Sequence, residues 1–195
     1  MRRIAESELI LNSDGSVFHL HLLPEDVADT IILVGDQNRV QLVAGHMDKG
    51  SIICDKSHRE FHTVTGSYHG KPVSVISTGI GTDNIDITMN ELDALVNIDL
   101  ATREPKSGHT SLKILRIGTC GCVRPDVPLG GFILSEAGIG CDGVLNWYRD
   151  CETVCDKDME QAFMEHVGWP FFFYCLILFQ KKFYGQIYSV LLNKS

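Results

Sequence analysis

Two arginines stand beside glycine loops in this sequence, and their chemistry suits a phosphate-sized anion. Arg39 follows Gly35 by four residues, and Arg116 precedes the loop that begins at Gly118. Guanidinium groups bind phosphate through paired hydrogen bonds, and glycine leaves backbone N–H groups open to an anion. Thr119 adds a hydroxyl next to Gly118. We therefore predict an anion-binding site built from these residues.

The two arginines differ in how strongly their surroundings favour that role. Arg116 lies inside the apolar run Ile114–Ile117, where a guanidinium without a partner would be costly to bury. We expect it to meet either a ligand or a carboxylate. Arg39 belongs to a polar stretch, and its spacing alone suits a solvated helix residue equally well.

Three apolar stretches run directly into glycine loops and must position these side chains. They are Thr30–Val34, Val73–Ser77 and Leu112–Ile117. Short β-branched runs that end at glycine are typical of buried strands in a parallel sheet. Open α/β sheets bind ligands at the carboxyl ends of such strands. The sequence therefore predicts an α/β fold with the site at that edge of the sheet.

The other elements are predicted from hydrophobic spacing and turn residues. They are an edge strand at Phe18–Leu22, a helix at Arg39–Met47, a strand pair at Ile52-Ile53 and Phe61–Tyr68, a helix whose N-cap is Asp83, a surface loop at Asp99–Ser111, and a fourth core strand at Phe132–Ser135.

Composition excludes several classes of function. A length of 195 residues favours one domain. A formal net charge of -8 argues against a nucleic-acid-binding surface. The apolar run from Trp169 to Phe179 is shorter than the ~20 residues that a bilayer requires, so we predict no membrane span. Seven cysteines, an odd number, without an apolar leader predict reduced thiols and a cytoplasmic location.

Cofactor motifs are weak. Cys141, Cys151 and Cys155 lack a convincing fourth ligand, so we predict no metal site. Gly79-Ile-Gly81 has no third glycine, and Asp83 would repel a pyrophosphate. No P-loop occurs. We therefore predict that the protein uses no cofactor.

Five motifs in order resemble those of the nucleoside phosphorylase superfamily, and within it the uridine phosphorylase branch. They are Val17-Phe-His-Leu20, Leu33-Val-Gly-Asp-Gln-Asn-Arg-Val40, Ser57-His-Arg-Glu-Phe61, Ser77-Thr-Gly-Ile-Gly81 and Leu115-Arg-Ile-Gly-Thr-Cys-Gly121. The resemblance implies a three-layer αβα sandwich around a twisted mixed sheet. It implies phosphorolysis of a nucleoside such as uridine to the base and ribose 1-phosphate, with inorganic phosphate as the co-substrate.

The resemblance also implies roles for individual residues. Gly35, Arg39, Arg116 and Thr119 would hold phosphate within one subunit, with Arg116 and Thr119 acting in catalysis. Arg59 would reach the phosphate of a neighbouring subunit. His19 would bind the ribose 5′-hydroxyl of that neighbour. Family members are dimers or trimers of dimers, so a homo-oligomer is expected.

The resemblance ends near Gly168-Trp169, which predicts two segments. Residues 1–168 are the N-terminal part of a nucleoside phosphorylase domain, and residues 169–195 are a divergent apolar tail. The tail is compatible with a core strand, with an anchor, or with a spliced or frameshifted end, and the shift in composition favours the last. The family's uracil-reading Gln and Arg and its Glu-Met-Glu segment have no counterpart there, so we expect a fold incomplete at its C-terminal end.

Two other functions remain open from the sequence. The first is a catalytically inactive fragment that keeps phosphate binding or subunit pairing, favoured by the missing nucleoside segment. The second is a hydrolytic nucleosidase of the same superfamily, which would not need the arginines Arg39, Arg59 and Arg116.

Overall fold

The computed structural model describes residues 3–168 and the backbone of residues 178–181. Its internal contacts divide the chain into one unit that ends at Thr119 and another that begins at Cys120. The expected boundary between residues 168 and 169 stays a prediction, because most of the tail lies outside the described residues. Among those residues, no helix is both long enough and apolar enough to cross a bilayer.

A mixed five-stranded sheet forms the centre of the first unit. The strands of this unit are β1 (Thr30–Val34), β2 (Cys54–His58), β3 (Phe61–Tyr68), β4 (Lys71–Ser77), β5 (Ile98–Asp99), β6 (Glu104–Pro105) and β7 (Lys113–Arg116). The sheet order is β2-β3-β4-β1-β7, and β5 pairs with β6 separately. β1 runs parallel to both β4 and β7, whereas β2, β3 and β4 pair antiparallel.

Side chains on β1 alternate between two apolar clusters, one on each face of the sheet. Ile31 and Leu33 pack in the cluster that contains Leu92 of helix α2 (Thr82–Asn97). Val34 packs with Val40 of helix α1 (Gln37–Ala44) on the other face. Helices therefore cover both faces, and the expected αβα layering with a mixed sheet is confirmed.

The second unit contains one α-helix, two short 3-10 helices and one small sheet among its described residues. Helix α3 (Lys157–Val167) begins at the N-cap Asp156 and ends at Gly168 in the left-handed region. Strand β8 (Ala137–Gly140) pairs antiparallel with β9 (Leu178–Lys181). Short 3-10 helices occupy Pro24–Asp26 in the first unit and Val144–Trp147 and Cys151–Thr153 in the second.

Two of the predicted strands are wrong. Phe18–Leu22 forms no strand and its first three residues are a turn, because the N–H groups of His19 and Leu20 donate to the Glu91 carboxylate instead of to a neighbouring strand. Phe132–Ser135 forms no ladder in the described part of the chain, and the strand comes later, at Ala137–Gly140, where a pairing partner exists. An apolar run without a hydrogen-bonded neighbour remains irregular however β-prone its residues are.

Three predicted boundaries also shift. β2 begins after the predicted Ile52-Ile53 pair, whose side chains are exposed. Helix α1 covers Gln37–Ala44 because the Asp36 carboxylate caps it earlier than expected. Helix α2 has Gly81 at its N-cap, at φ +105, and Asp83 lies in its first turn. The predicted strands at Thr30–Val34 and Phe61–Tyr68 are confirmed.

A buried ionisable group in β2 makes folding stability sensitive to alkaline pH. Burial raises the pKa of the Cys54 thiol from 9.0 to about 11, and the nearby Asp26 carboxylate adds to the shift. The unfolded thiol therefore loses its proton near pH 9, while the folded one keeps it until near pH 11. Between these values the unfolded state binds fewer protons, so stability falls as pH rises.

We expect the Cys54→Ala variant to lose less stability than the wild type between pH 8 and pH 10. The difference between the two slopes should amount to about 1 kcal/mol over that interval. Urea unfolding at several pH values measures the free energy of unfolding of both proteins. The cavity left by the substitution lowers that free energy equally at every pH, so it does not affect the comparison of the two pH slopes. Parallel curves for the two proteins would contradict the prediction.

Candidate anion-binding site

The first glycine loop anchors Arg39 through the cap of helix α1. Gly35 follows β1, and the Asp36 carboxylate then accepts the backbone N–H of Arg39 at 3.0 Å. The other carboxylate oxygen of Asp36 lies 3.1 Å from the Arg39 Nη2. One acidic residue therefore starts the helix and fixes the guanidinium of its third residue.

Arg116 reaches the same glycine from the neighbouring strand. It is the last residue of β7 and lies opposite Leu33 of β1, and the Ile117 N–H continues the pairing to the Leu33 carbonyl at 2.9 Å. A Cβ atom built on Gly35 would lie 4.0 Å from the Arg116 Nη2 and 4.0 Å from the Arg39 Nη1. The two guanidinium groups therefore converge over Gly35.

The charge of this arrangement favours an anion. It holds two guanidinium groups and one carboxylate, that of Asp36, in a protein whose formal net charge is -8. Within the described residues, the Arg116 guanidinium makes no ion pair and no hydrogen bond. Arg116 is also exposed rather than enclosed by its apolar run, because it ends a strand at the edge of the described sheet. The site thus offers a guanidinium that is ready to bind a ligand.

Gly118 makes room for the Arg116 side chain. A Cβ atom at this position would lie 2.8 Å from the Arg116 Nη1, closer than real side chains approach. The guanidinium therefore rests directly against a backbone without a side chain. Thr119 follows it, exposed, and its hydroxyl makes no hydrogen bond in the part of the chain that the structure describes.

We expect the Gly118→Ala variant to bind phosphate more weakly than the wild type, by about tenfold. The new methyl group would push the Arg116 guanidinium away from Gly35, which would weaken a charge-assisted hydrogen bond. Gly108→Ala is the matched control, because a Cβ there meets nothing within 4 Å. Isothermal titration with inorganic phosphate measures both, and equal affinities would contradict the prediction.

Arg59 and His19 lie in a second cluster, formed with Phe18, His58 and Glu91. Arg59 occupies the turn between β2 and β3 at φ +55, and its guanidinium carbon lies 5.4 Å from the centre of the Phe18 ring. The Phe18 and His19 rings are 5.0 Å apart, edge to face. The His58 Nδ1 lies 2.9 Å from the His19 carbonyl. A cation–π contact, an edge-to-face ring contact and one hydrogen bond thus connect Arg59 and His19 in one cluster.

Loop contacts connect this cluster to the glycine loops. The Gln37 side chain, two residues after Gly35, donates to the Arg59 carbonyl at 2.7 Å. The second glycine loop contains Gly79 at φ +70, and a Cβ there would come 3.2 Å from the Glu60 side chain. The turn that carries Arg59 is therefore held against both loops. Gln37 holds the turn of Arg59 through its side-chain hydrogen bond, a contact that sequence spacing did not indicate.

Glu91 is the main residue missed by sequence reasoning. Its carboxylate is nearly buried and accepts the N–H groups of His19 and Leu20, each at 2.8 Å. The sequence contained one indication of its role, because Glu91 is an acidic residue next to Leu92 on the apolar face of an amphipathic helix. An acidic residue at such a position requires a partner.

A profile of the Phosphorylase superfamily matches residues 29–170, which include the glycine loops and the three arginines described above. The chain belongs to this superfamily. The expected family is thereby confirmed. No group of three or more His, Cys, Asp or Glu side chains able to hold a metal ion occurs among the described residues of this phosphorylase-superfamily chain.

Individual relatives include two kinds of nucleoside phosphorylase. The chain is 34% identical over 150 residues to a uridine phosphorylase of Escherichia coli, which covers 76% of this chain and 53% of that enzyme. It is 29% identical over 131 residues to a DeoD-type purine nucleoside phosphorylase of Caldanaerobacter subterraneus, covering 67% and 50%. The chain spans about half the length of the curated relatives it matches.

A solved structure agrees with the same fold. It is a Trypanosoma brucei nucleoside phosphorylase whose crystal structure is described as showing uridine phosphorylase activity. The TM-score is 0.69 at 32% identity, and the match covers 82% of this chain and 52% of that one. The fold of most of this chain is therefore shared with that enzyme.

Proposed function

We propose that the protein acts in the phosphorolysis of nucleosides, with uridine as the preferred substrate and inorganic phosphate as the co-substrate. The observation that carries this proposal is the convergence of the Arg39 and Arg116 guanidinium groups over Gly35. Guanidinium pairs match the tetrahedral geometry of phosphate, and Gly35 leaves the space between them open. Thr119 would add its hydroxyl to the same anion.

The bound phosphate would attack the anomeric carbon of the nucleoside. One phosphate oxygen forms the new C–O bond while the glycosidic C–N bond breaks, and the base leaves with that electron pair and takes up a proton. The sugar passes through an oxocarbenium-like state, as in glycoside cleavage. Phosphate held by Arg39 and Arg116 would stabilise this positive charge by its position.

Arg59 and His19 would serve the site of a second copy of the chain. Arg59 would contact the phosphate of the partner subunit, and His19 would bind the ribose 5′-hydroxyl there. The cluster supports this role, because the Arg59 guanidinium and the His19 Nε2 have no charged or hydrogen-bonding partner within the described residues. A homodimer is the smallest assembly that would complete such a site.

The retained arginines favour phosphorolysis over hydrolysis. A nucleosidase uses water and has no need of a phosphate site, whereas Arg39 and Arg116 bring two guanidinium groups together over Gly35. The chain is similar to both uridine and purine nucleoside phosphorylases, so its preference for a pyrimidine or a purine base has to be measured.

The deciding experiment incubates the purified 195-residue chain with uridine or inosine, with and without inorganic phosphate. Phosphorolysis predicts ribose 1-phosphate and free uracil only when phosphate is present, with inosine converted more slowly. Base release without phosphate would favour the nucleosidase. Phosphate binding by calorimetry without any base release would favour the inactive phosphate-binding fragment.

A further inference from the structure

The His19 ring is held by one carboxylate that comes from far along the chain. The His19 Nδ1 lies 2.7 Å from the Glu91 Oε1, and the same oxygen accepts the His19 backbone N–H at 2.8 Å. The second oxygen, Oε2, accepts the Leu20 N–H at 2.8 Å and lies 3.1 Å from the His19 backbone nitrogen. Both carboxylate oxygens are therefore occupied by donors.

This arrangement decides which ring nitrogen of His19 carries the proton. A carboxylate can only accept hydrogen bonds, so Nδ1 must be the donor. In the neutral ring the proton then lies on Nδ1, and Nε2, on the opposite side, presents a lone pair. The His19 side chain is 29% exposed, and Nε2 has no hydrogen-bond partner among the described residues. Nε2 is thus free to accept a hydrogen bond from a ligand.

We propose that Glu91 is a positioning residue that fixes His19 as its Nδ1–H tautomer and presents Nε2 as an acceptor for a substrate hydroxyl. The identity of that hydroxyl, the ribose 5′-hydroxyl, rests on the proposed function. The tautomer itself does not, because it follows from the contacts of Glu91 alone. Such an acceptor selects a hydroxyl donor and binds poorly to a 5′-substituent that has no hydrogen to donate.

The Glu91→Gln variant changes this arrangement without changing its size. A glutamine has one acceptor oxygen and one NH₂ group, while three donors surround the present carboxylate. The oxygen would remain with the Leu20 and His19 N–H groups, and the NH₂ group would face His19 Nδ1. That nitrogen must then accept, which moves the ring proton to Nε2 and removes the acceptor.

Nitrogen-15 NMR of the histidine rings in the full chain tests the tautomer directly. We expect the neutral form of His19, assigned by its loss in His19→Gln, to show Nδ1–H in the wild type and Nε2–H in Glu91→Gln. Nε2–H in the wild type would overturn the proposal, even if the variant failed to fold. An unchanged tautomer in a folded Glu91→Gln protein would overturn it as well.

Kinetics separate this inference from the proposed function. If uridine is a substrate, Glu91→Gln should lower kcat/KM for uridine about tenfold, mainly through KM, since one hydrogen bond is lost. For 5′-deoxyuridine, which lacks the hydroxyl, the two proteins should be equal. An equal loss on both substrates would overturn the role toward the hydroxyl. If NMR shows the expected tautomers but neither nucleoside is converted, the proposed function is refuted while the positioning of His19 by Glu91 is supported.

Discussion

Replacement of Arg116 by alanine is expected to lower phosphorolysis of uridine by about a thousandfold and to abolish measurable phosphate binding. Arg116 supplies one of the two guanidinium groups over Gly35 and, unlike Arg39, shares its charge with no carboxylate among the described residues. Loss of a preorganised charged donor typically costs about a hundredfold to a thousandfold in rate. Arg116→Lys should recover little, because an ammonium cannot reproduce a bidentate contact.

The matched control for this prediction is Arg3→Ala. Arg3 is an exposed arginine that pairs with Glu6 at 3.7 Å, and its loss removes the same charge from the protein. Phosphate titration and steady-state rates measure all three variants, with thermal unfolding as the check on folding. If Arg116→Ala binds phosphate as tightly as Arg3→Ala, the phosphate site does not include Arg116.

Mixing two inactive variants is expected to restore activity if Arg59 serves a partner subunit. Arg59→Ala and Arg116→Ala should each be nearly inactive alone. In a mixed dimer, one site combines the intact Arg116 of one chain with the intact Arg59 of the other. With random pairing, half of the dimers are mixed and each has one working site, so about a quarter of the wild-type activity should return.

The measurement requires subunit exchange, for example by joint refolding, followed by an assay with uridine and phosphate. Arg39→Ala mixed with Arg116→Ala provides the control, because both residues lie over Gly35 of the same chain. Random mixing restores activity in that pair only if one of the two residues acts across the interface. No recovery in the Arg59 pair would contradict the assignment of Arg59 to the partner's site. Recovery in the control pair would contradict the placement of Arg39 and Arg116 in one site of the same chain.

Long-range order is what sequence reasoning could not supply. The patterns at Thr30–Val34 and Phe61–Tyr68 predict their strands correctly, since β-branched runs need only a neighbour to pair with. Phe18–Leu22 alternates apolar residues with histidines, a pattern typical of an edge strand, yet it forms no strand, because the Glu91 carboxylate takes the N–H groups of His19 and Leu20. A partner 72 residues away leaves no trace in local spacing.

The sequence by itself indicated guanidinium groups beside glycine loops and the edge of the sheet at which they lie. Gly35 and Arg116 end strands that run parallel, and the carboxyl ends of parallel strands lie on the same side of a sheet. Only the tertiary structure decided that β1 and β7 are neighbours, with Leu33 opposite Arg116, so that two guanidinium groups meet over one glycine. It also decided that Glu91 holds His19 and that Gly118 makes room for the Arg116 side chain. The physical reason is that strand order and side-chain contacts arise from packing between segments distant in the chain, whereas residue type and periodicity are local.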